Sequence, residues 1–80
     1  MARPKTRYFE AMRARKDRVS IEDDWIEAVI AHPEKTSVQA DGRIRKWAKI
    51  PQANDKYLRV VLLEDEETLH NAFFDRGFRP

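Results

Sequence analysis

The spacing of apolar residues changes once along this chain, at Pro33, and that change limits the fold more than any other feature. Before Pro33 the apolar residues recur every three to four positions, as one face of a helix requires. After it they alternate, as a half-buried strand requires. Helices first and strands after indicate an α+β fold, with two N-terminal helices followed by a curled four-stranded antiparallel sheet. Residues 1–80 contain no repeat, low-complexity run or internal linker, so a single domain is expected. A chain of 80 residues can bury one hydrophobic core, with a stability of roughly 5 kcal/mol or a little more.

The element boundaries follow from punctuation. Tyr8 or Phe9, Met12 and Arg15 stand at helical spacing among alanines, which predicts a basic helix over residues 4–18. Ser20 is a natural N-cap for the second helix, and Asp23 stands where a capping box places an acid. Ile21, Trp25 and Val29, with Ile26 and Ile30 beside them, form its apolar stripe. The helix should end at His32, because Pro33 disfavours helical geometry in the residue before it. Strands are predicted over residues 36–40, 43–50, 57–63 and 68–74. Asp41-Gly42 predicts a type I′ hairpin turn, and residues 75–80 a tail carrying Arg76, Phe78 and Arg79.

The net charge of +2 conceals a segregated distribution. Arg3, Lys5, Arg7, Arg13, Arg15, Lys16 and Arg18 crowd the first helix, and Arg43, Arg45, Lys46 and Lys49 the second strand. Glu22, Asp23 and Asp24 open the second helix, where carboxylates offset the positive end of its dipole, so no metal site is expected there. The absence of cysteine excludes disulfides, thiolate metal sites and cysteine nucleophiles. No apolar run is long enough to span a membrane and the N-terminus has no secretory h-region, so a cytoplasmic protein without a membrane partner is expected. No Gly-rich phosphate loop or nucleophile elbow is present, and no cofactor is expected.

Alternation assigns the strand side chains to faces. Ile44, Ala48 and Ile50, then Leu58, Val60 and Leu62, then Leu69 and Phe73, are expected beneath the helix carrying Trp25. The other face collects Arg43, Arg45, Trp47, Lys49, Tyr57, Arg59 and His70. Cations contact phosphates, aromatic and guanidinium planes stack on unpaired bases, and an imidazole moves protons near neutral pH. Metal-independent RNA cleavage needs little more than this, with His70 and Arg59 as catalytic candidates. Arg43, Arg45, Lys46, Trp47, Lys49 and Tyr57 are then the RNA-binding candidates. The same residues equally suit a cation–π ladder on a solvated face, or a basic surface that docks an acidic protein partner. Trp25, Trp47, Phe74 and Phe78 also represent more aromatic surface than one small core hides, which makes a homodimer a further expectation.

The order of elements adds a resemblance. A basic first helix, the helix opened by Ser20-Ile21-Glu22, the Gly-turned hairpin, the run Tyr57-Leu58-Arg59-Val60-Val61 and the closing His70-Asn71-Ala72-Phe73-Phe74-Asp75-Arg76 resemble small BrnT-like and RelE/ParE-like toxin-fold proteins. The resemblance spans roughly residues 5–76. It implies a helix–helix–sheet domain that acts on RNA as an endoribonuclease and is neutralised by a small antitoxin protein. It also implies that Arg59 stands for the family's strand-borne arginine, Arg45 and Lys46 for its second-strand basic residues, and His70 for a catalytic residue near the last strand. Two features depart from the pattern: no tyrosine follows Tyr57, and the aspartate–tryptophan opening of BrnT-like chains is absent.

Overall fold

A computed structural model describes residues 3–15 and 20–80. Two helices precede four strands, in the order α1 (Arg7–Arg13), α2 (Asp23–Ala31), β1 (Lys35–Val38), β2 (Ile44–Ile50), β3 (Lys56–Leu62) and β4 (Leu69–Phe74). The strands form an open antiparallel sheet in sequential order β1-β2-β3-β4. The α+β reading, with helices before sheet, therefore holds. Among the described residues no helix is long and apolar enough to cross a membrane.

Both helices start later than their sequence signals. The Thr6 hydroxyl caps α1 by accepting from the Phe9 N–H at 3.0 Å, and the helix runs to Arg13 with Ala14 as its C-cap. Residues 16–18 of the expected helix lie outside the described residues. In α2 the cap position falls to Glu22 rather than Ser20, with no side-chain cap bond. Core packing accounts for the shift. Ile21 is buried just before the helix and Ile26 within it, at the two positions a hydrophobic staple uses, so burial of this pair sets where the helix starts. The Arg13 guanidinium lies 2.8 Å from Asp23, which ties the end of α1 to the start of α2.

The core lies between the helices and one face of the sheet. It joins Phe9, Ile21, Ile26 and Val29 to Ile44, Ala48, Ile50, Leu58, Val60, Leu62, Leu69 and Ala72, with Trp25, Ile30 and Phe74 packed against it. Phe74 takes the place expected for Phe73. The register runs Val61↔Asn71 and then Leu62↔Leu69, which leaves His70 as an extra residue in β4. This bulge reverses the alternation after Leu69, so Ala72 and Phe74 turn inward and Phe73 turns outward beside Arg59.

The β1–β2 turn also differs from expectation. Gly42 has φ +92 and Asp41 does not have a positive φ, so a type I′ turn, which needs both, is not formed. Instead Gly42 donates to the Gln39 carbonyl at 2.9 Å and Gln39 to the Arg43 carbonyl at 2.7 Å. These bonds define a three-residue loop with glycine at its left-handed position. At the other edge of the sheet, residues 4–6 pair with β4 in parallel: Thr6 donates to the Leu69 carbonyl and Leu69 to the Pro4 carbonyl, both at 2.9 Å. Residues 4–6 are thereby held beside the bulge, and α1 follows directly from them.

Candidate functional site

The face of the sheet away from the core carries the residues singled out from sequence. Strand register sets them in rows. One row reads Lys35, Trp47, Arg59 and Phe73 from β1 to β4, and the next reads Ser37, Arg45, Val61 and Asn71. Lys49 and Tyr57 are paired beyond the first row. The Arg59 guanidinium lies over the Phe73 ring at 4.8 Å and over the Trp47 ring at 5.4 Å, while Arg45 approaches Trp47 at 5.7 Å.

Lys46 is separated from this set. It faces the helix layer, and its ammonium donates to the Ile30 carbonyl at 3.3 Å, satisfying an acceptor in the last turn of α2. Alternation along β2 requires this, because Lys46 shares its parity with Ile44 and Ala48.

The residues after β4 fold back over the outer face, which the expectation of a plain tail missed. Asp75 Oδ2 accepts from Trp47 Nε1 at 3.0 Å and from Arg59 Nε and Nη2 at 3.0 and 2.7 Å. Burial alone would raise this carboxyl, but the hydrogen bonds from Trp47 and Arg59, together with the Arg59 charge, hold it below its ordinary value. Phe78 then stacks on Trp47 with ring centroids 5.0 Å apart and planes 16° apart, and lies 4.9 Å from Tyr57. Trp47 is left only 5% exposed. Tyr57 and Lys49 are tied through Glu34, which accepts from the Tyr57 hydroxyl at 3.2 Å and the Lys49 N–H at 2.9 Å. The four aromatics expected to be in surplus thus pack in pairs, because Trp25 also meets Phe74 edge-on at 6.2 Å.

Beside this covered half the face is open. A recess of about 530 Å³ lies among Tyr8, Gln39, Arg43, Arg59, His70, Asn71 and Phe73. The bulge and α1 build it together. His70 stacks on Tyr8 with centroids 4.9 Å apart and planes 21° apart, and its Nδ1 lies 3.1 Å from the Thr6 hydroxyl. Burial, and next the nearby Arg43 charge, push the His70 imidazole below its ordinary value against an opposing pull from Asp41. The neutral ring is therefore favoured. Tyr8 remains 47% exposed. Arg43 reaches Asp41 at 3.6 Å in an exposed pair, which leaves its charge largely hydrated and open to a ligand.

Both catalytic candidates line the recess, but Arg59 is already paired with Asp75, whereas His70 has no charged partner in contact among the described residues. Of the binding candidates, Arg43 lines the recess and Arg45 flanks Trp47, while Lys49 and Tyr57 lie at the far end. Thr6, Tyr8, Asn71, Asp75 and Phe78 were not anticipated as part of this surface. A recess of about 580 Å³ on the other side of β4 is lined by Arg3, Lys5, Asp23, Glu27 and Glu67. Its Arg3 and Glu27 neutralise each other in a two-pronged contact at 2.8 and 2.9 Å, so it offers weaker chemistry than the His70 recess. No family model matches the sequence, no curated protein matches it, and no solved structure matches the fold.

Proposed function

We propose that this chain is a toxin-like, cytoplasmic RNA-binding protein that cleaves single-stranded RNA without a metal ion, using the recess around His70. The observation that carries this reading is the grouping, in one open recess, of an imidazole biased toward its neutral form, an exposed tyrosine stacked on it and a hydrated arginine. Tyr8 offers a face to an unpaired base, and Arg43 offers charge to a phosphate. Neutral His70 takes the proton of a ribose 2′-hydroxyl through the nitrogen not facing Thr6. The 2′-oxygen then bonds to phosphorus as the bond from phosphorus to the 5′-oxygen breaks. The imidazolium returns its proton to that departing oxygen. Arg43 supplies the charge that offsets the developing phosphorane, because Arg59 is engaged by Asp75 and acts as the wall of the recess. A small acidic antitoxin covering the basic outer face is the partner this reading implies.

The test incubates labelled single-stranded RNA with parent, His70→Ala and Arg43→Ala proteins in the absence of divalent metal. His70→Ala should bind RNA and fail to cleave it. Arg43→Ala should weaken binding and lower the slope of log affinity against log salt by about 1. Cleavage by a folded His70→Ala variant at the parental rate would remove the catalytic assignment. Absence of RNA binding even at low salt would remove the RNA reading.

One observation favours a second reading, a non-enzymatic module that docks an acidic protein. The outer face already holds a carboxylate and an aromatic ring from its own chain, Asp75 and Phe78. A peptide presenting that pair is a natural ligand for such a surface.

A further inference from the structure

Trp47 already carries a stacked ring on the outer face. Phe78 lies parallel to it at 5.0 Å, in the arrangement a nucleobase adopts on an aromatic side chain. Besides Arg59, which is paired with Asp75, two cations flank this stack: Arg45 at 5.7 Å from the Trp47 ring and Lys35 Nζ at 5.9 Å from the Phe78 ring. Among the described residues neither of these two has a carboxylate partner, and Arg45 Nε is buried with no hydrogen-bond partner among them. A buried guanidinium N–H left unbonded is costly for a purely structural arginine and useful to one awaiting an anion.

The cover is weakly held. Asp75 is fixed, because its N–H donates to the Tyr57 carbonyl and its carboxylate accepts from Trp47 and Arg59. Beyond it, the Gly77 and Phe78 N–H groups bond back to Asp75 itself, at 3.1 and 3.3 Å. The Phe78 ring is therefore attached to the sheet by stacking, an interaction of the same order as the stacking of a base on an aromatic ring. It can be exchanged without breaking the Asp75 anchor.

We propose that Phe78 is a displaceable lid over a nucleotide position on Trp47, where a base takes the place of the ring and Arg45 with Lys35 takes the phosphate. The proposal rests on the RNA-binding reading and adds a second subsite to it, joined to the His70 recess through Arg59, which borders both. In the resting chain the lid restrains RNA binding.

The test uses Phe78→Ala and, as a variant that keeps apolar cover without a ring, Phe78→Leu. Both carry Trp25→Phe so that Trp47 is the sole tryptophan emitter. Each is checked for folding by circular dichroism and titrated with single-stranded oligoadenylate and with adenosine monophosphate. Phe78→Ala should bind oligoadenylate about 5- to 100-fold more tightly than the parent, with quenched Trp47 emission. Adding Arg45→Ala should remove most of that gain. Quenching by the mononucleotide as well would locate the gain in a single base and phosphate. Unchanged affinity and emission in folded Phe78→Ala and Phe78→Leu would overturn the lid while Arg43-dependent RNA binding by the parent left the RNA reading in place. No RNA binding by any variant would overturn both. Binding of an Asp-Arg-Gly-Phe peptide but not RNA to Phe78→Ala would do the same, and would assign the platform to a protein ligand.

Discussion

Replacing Asp75 with alanine should be among the most damaging single changes on the outer face. One carboxylate oxygen, Oδ2, accepts three N–H donors, one from Trp47 and two from Arg59. Asp75→Ala strands the indole N–H of a tryptophan that is only 5% exposed, and an unsatisfied buried donor costs about 1–3 kcal/mol. The Arg59 side chain is 26% exposed, so water recovers part of the lost pairing and that loss adds at most about 1 kcal/mol. The sum is about 1–4 kcal/mol, a large share of the stability of a domain this size, or a fall of about 5–30 °C in Tm. Asp75→Asn keeps an acceptor and should cost about 1 kcal/mol. The pH dependence has a definite sign. Because the folded carboxyl lies below its ordinary 3.8, its contribution is complete above that value and is lost as pH falls through and below it. The assay is urea unfolding followed by far-UV circular dichroism, at neutral pH and again in acid. A loss below about 0.5 kcal/mol in Asp75→Ala at neutral pH, or a gap from the parent that fails to narrow in acid, would refute the reasoning.

Two further predictions concern the turn and the bulge. Gly42→Ala should cost about 1–2 kcal/mol, because φ is +92 and a Cβ would lie 2.8 Å from Glu64 Oε2. Adding Glu64→Ala should recover little, since the carboxylate can swing aside whereas the backbone angle cannot change; full recovery in urea unfolding would contradict this. The His70 imidazole is held below 6.5 by burial and then by Arg43, so the folded state resists its protonation. Stability should be complete above that value and decline as pH falls below it, and His70→Gln should flatten the decline between about pH 7 and pH 5. An unchanged slope in the variant would contradict the assignment.

The change of period at Pro33 was enough to determine the class of fold, because helical and strand spacings are local properties of side-chain geometry. Alternation also placed Arg45, Trp47, Lys49, Tyr57 and Arg59 on the outer face, since β2 and β3 run without interruption. In β4 the same rule failed after Leu69. The bulge at His70 comes from the register against β3, and no residue type in the run Leu69-His70-Asn71-Ala72 announces it. The turn type and the start of α2 were likewise decided by packing: a three-residue loop suited the hairpin, and the burial of Ile21 outweighed the capping preference of Ser20. Tertiary structure alone decided the state of the site. Asp75 and Phe78 stand 16 and 31 positions from Arg59 and Trp47, and meet them because the end of β4 lies beside β3 and the fold returns the chain across the sheet. Spacing along a chain carries no information about such encounters. That closure turns an apparently open basic-aromatic face into a covered Trp47 ring and an open recess at His70.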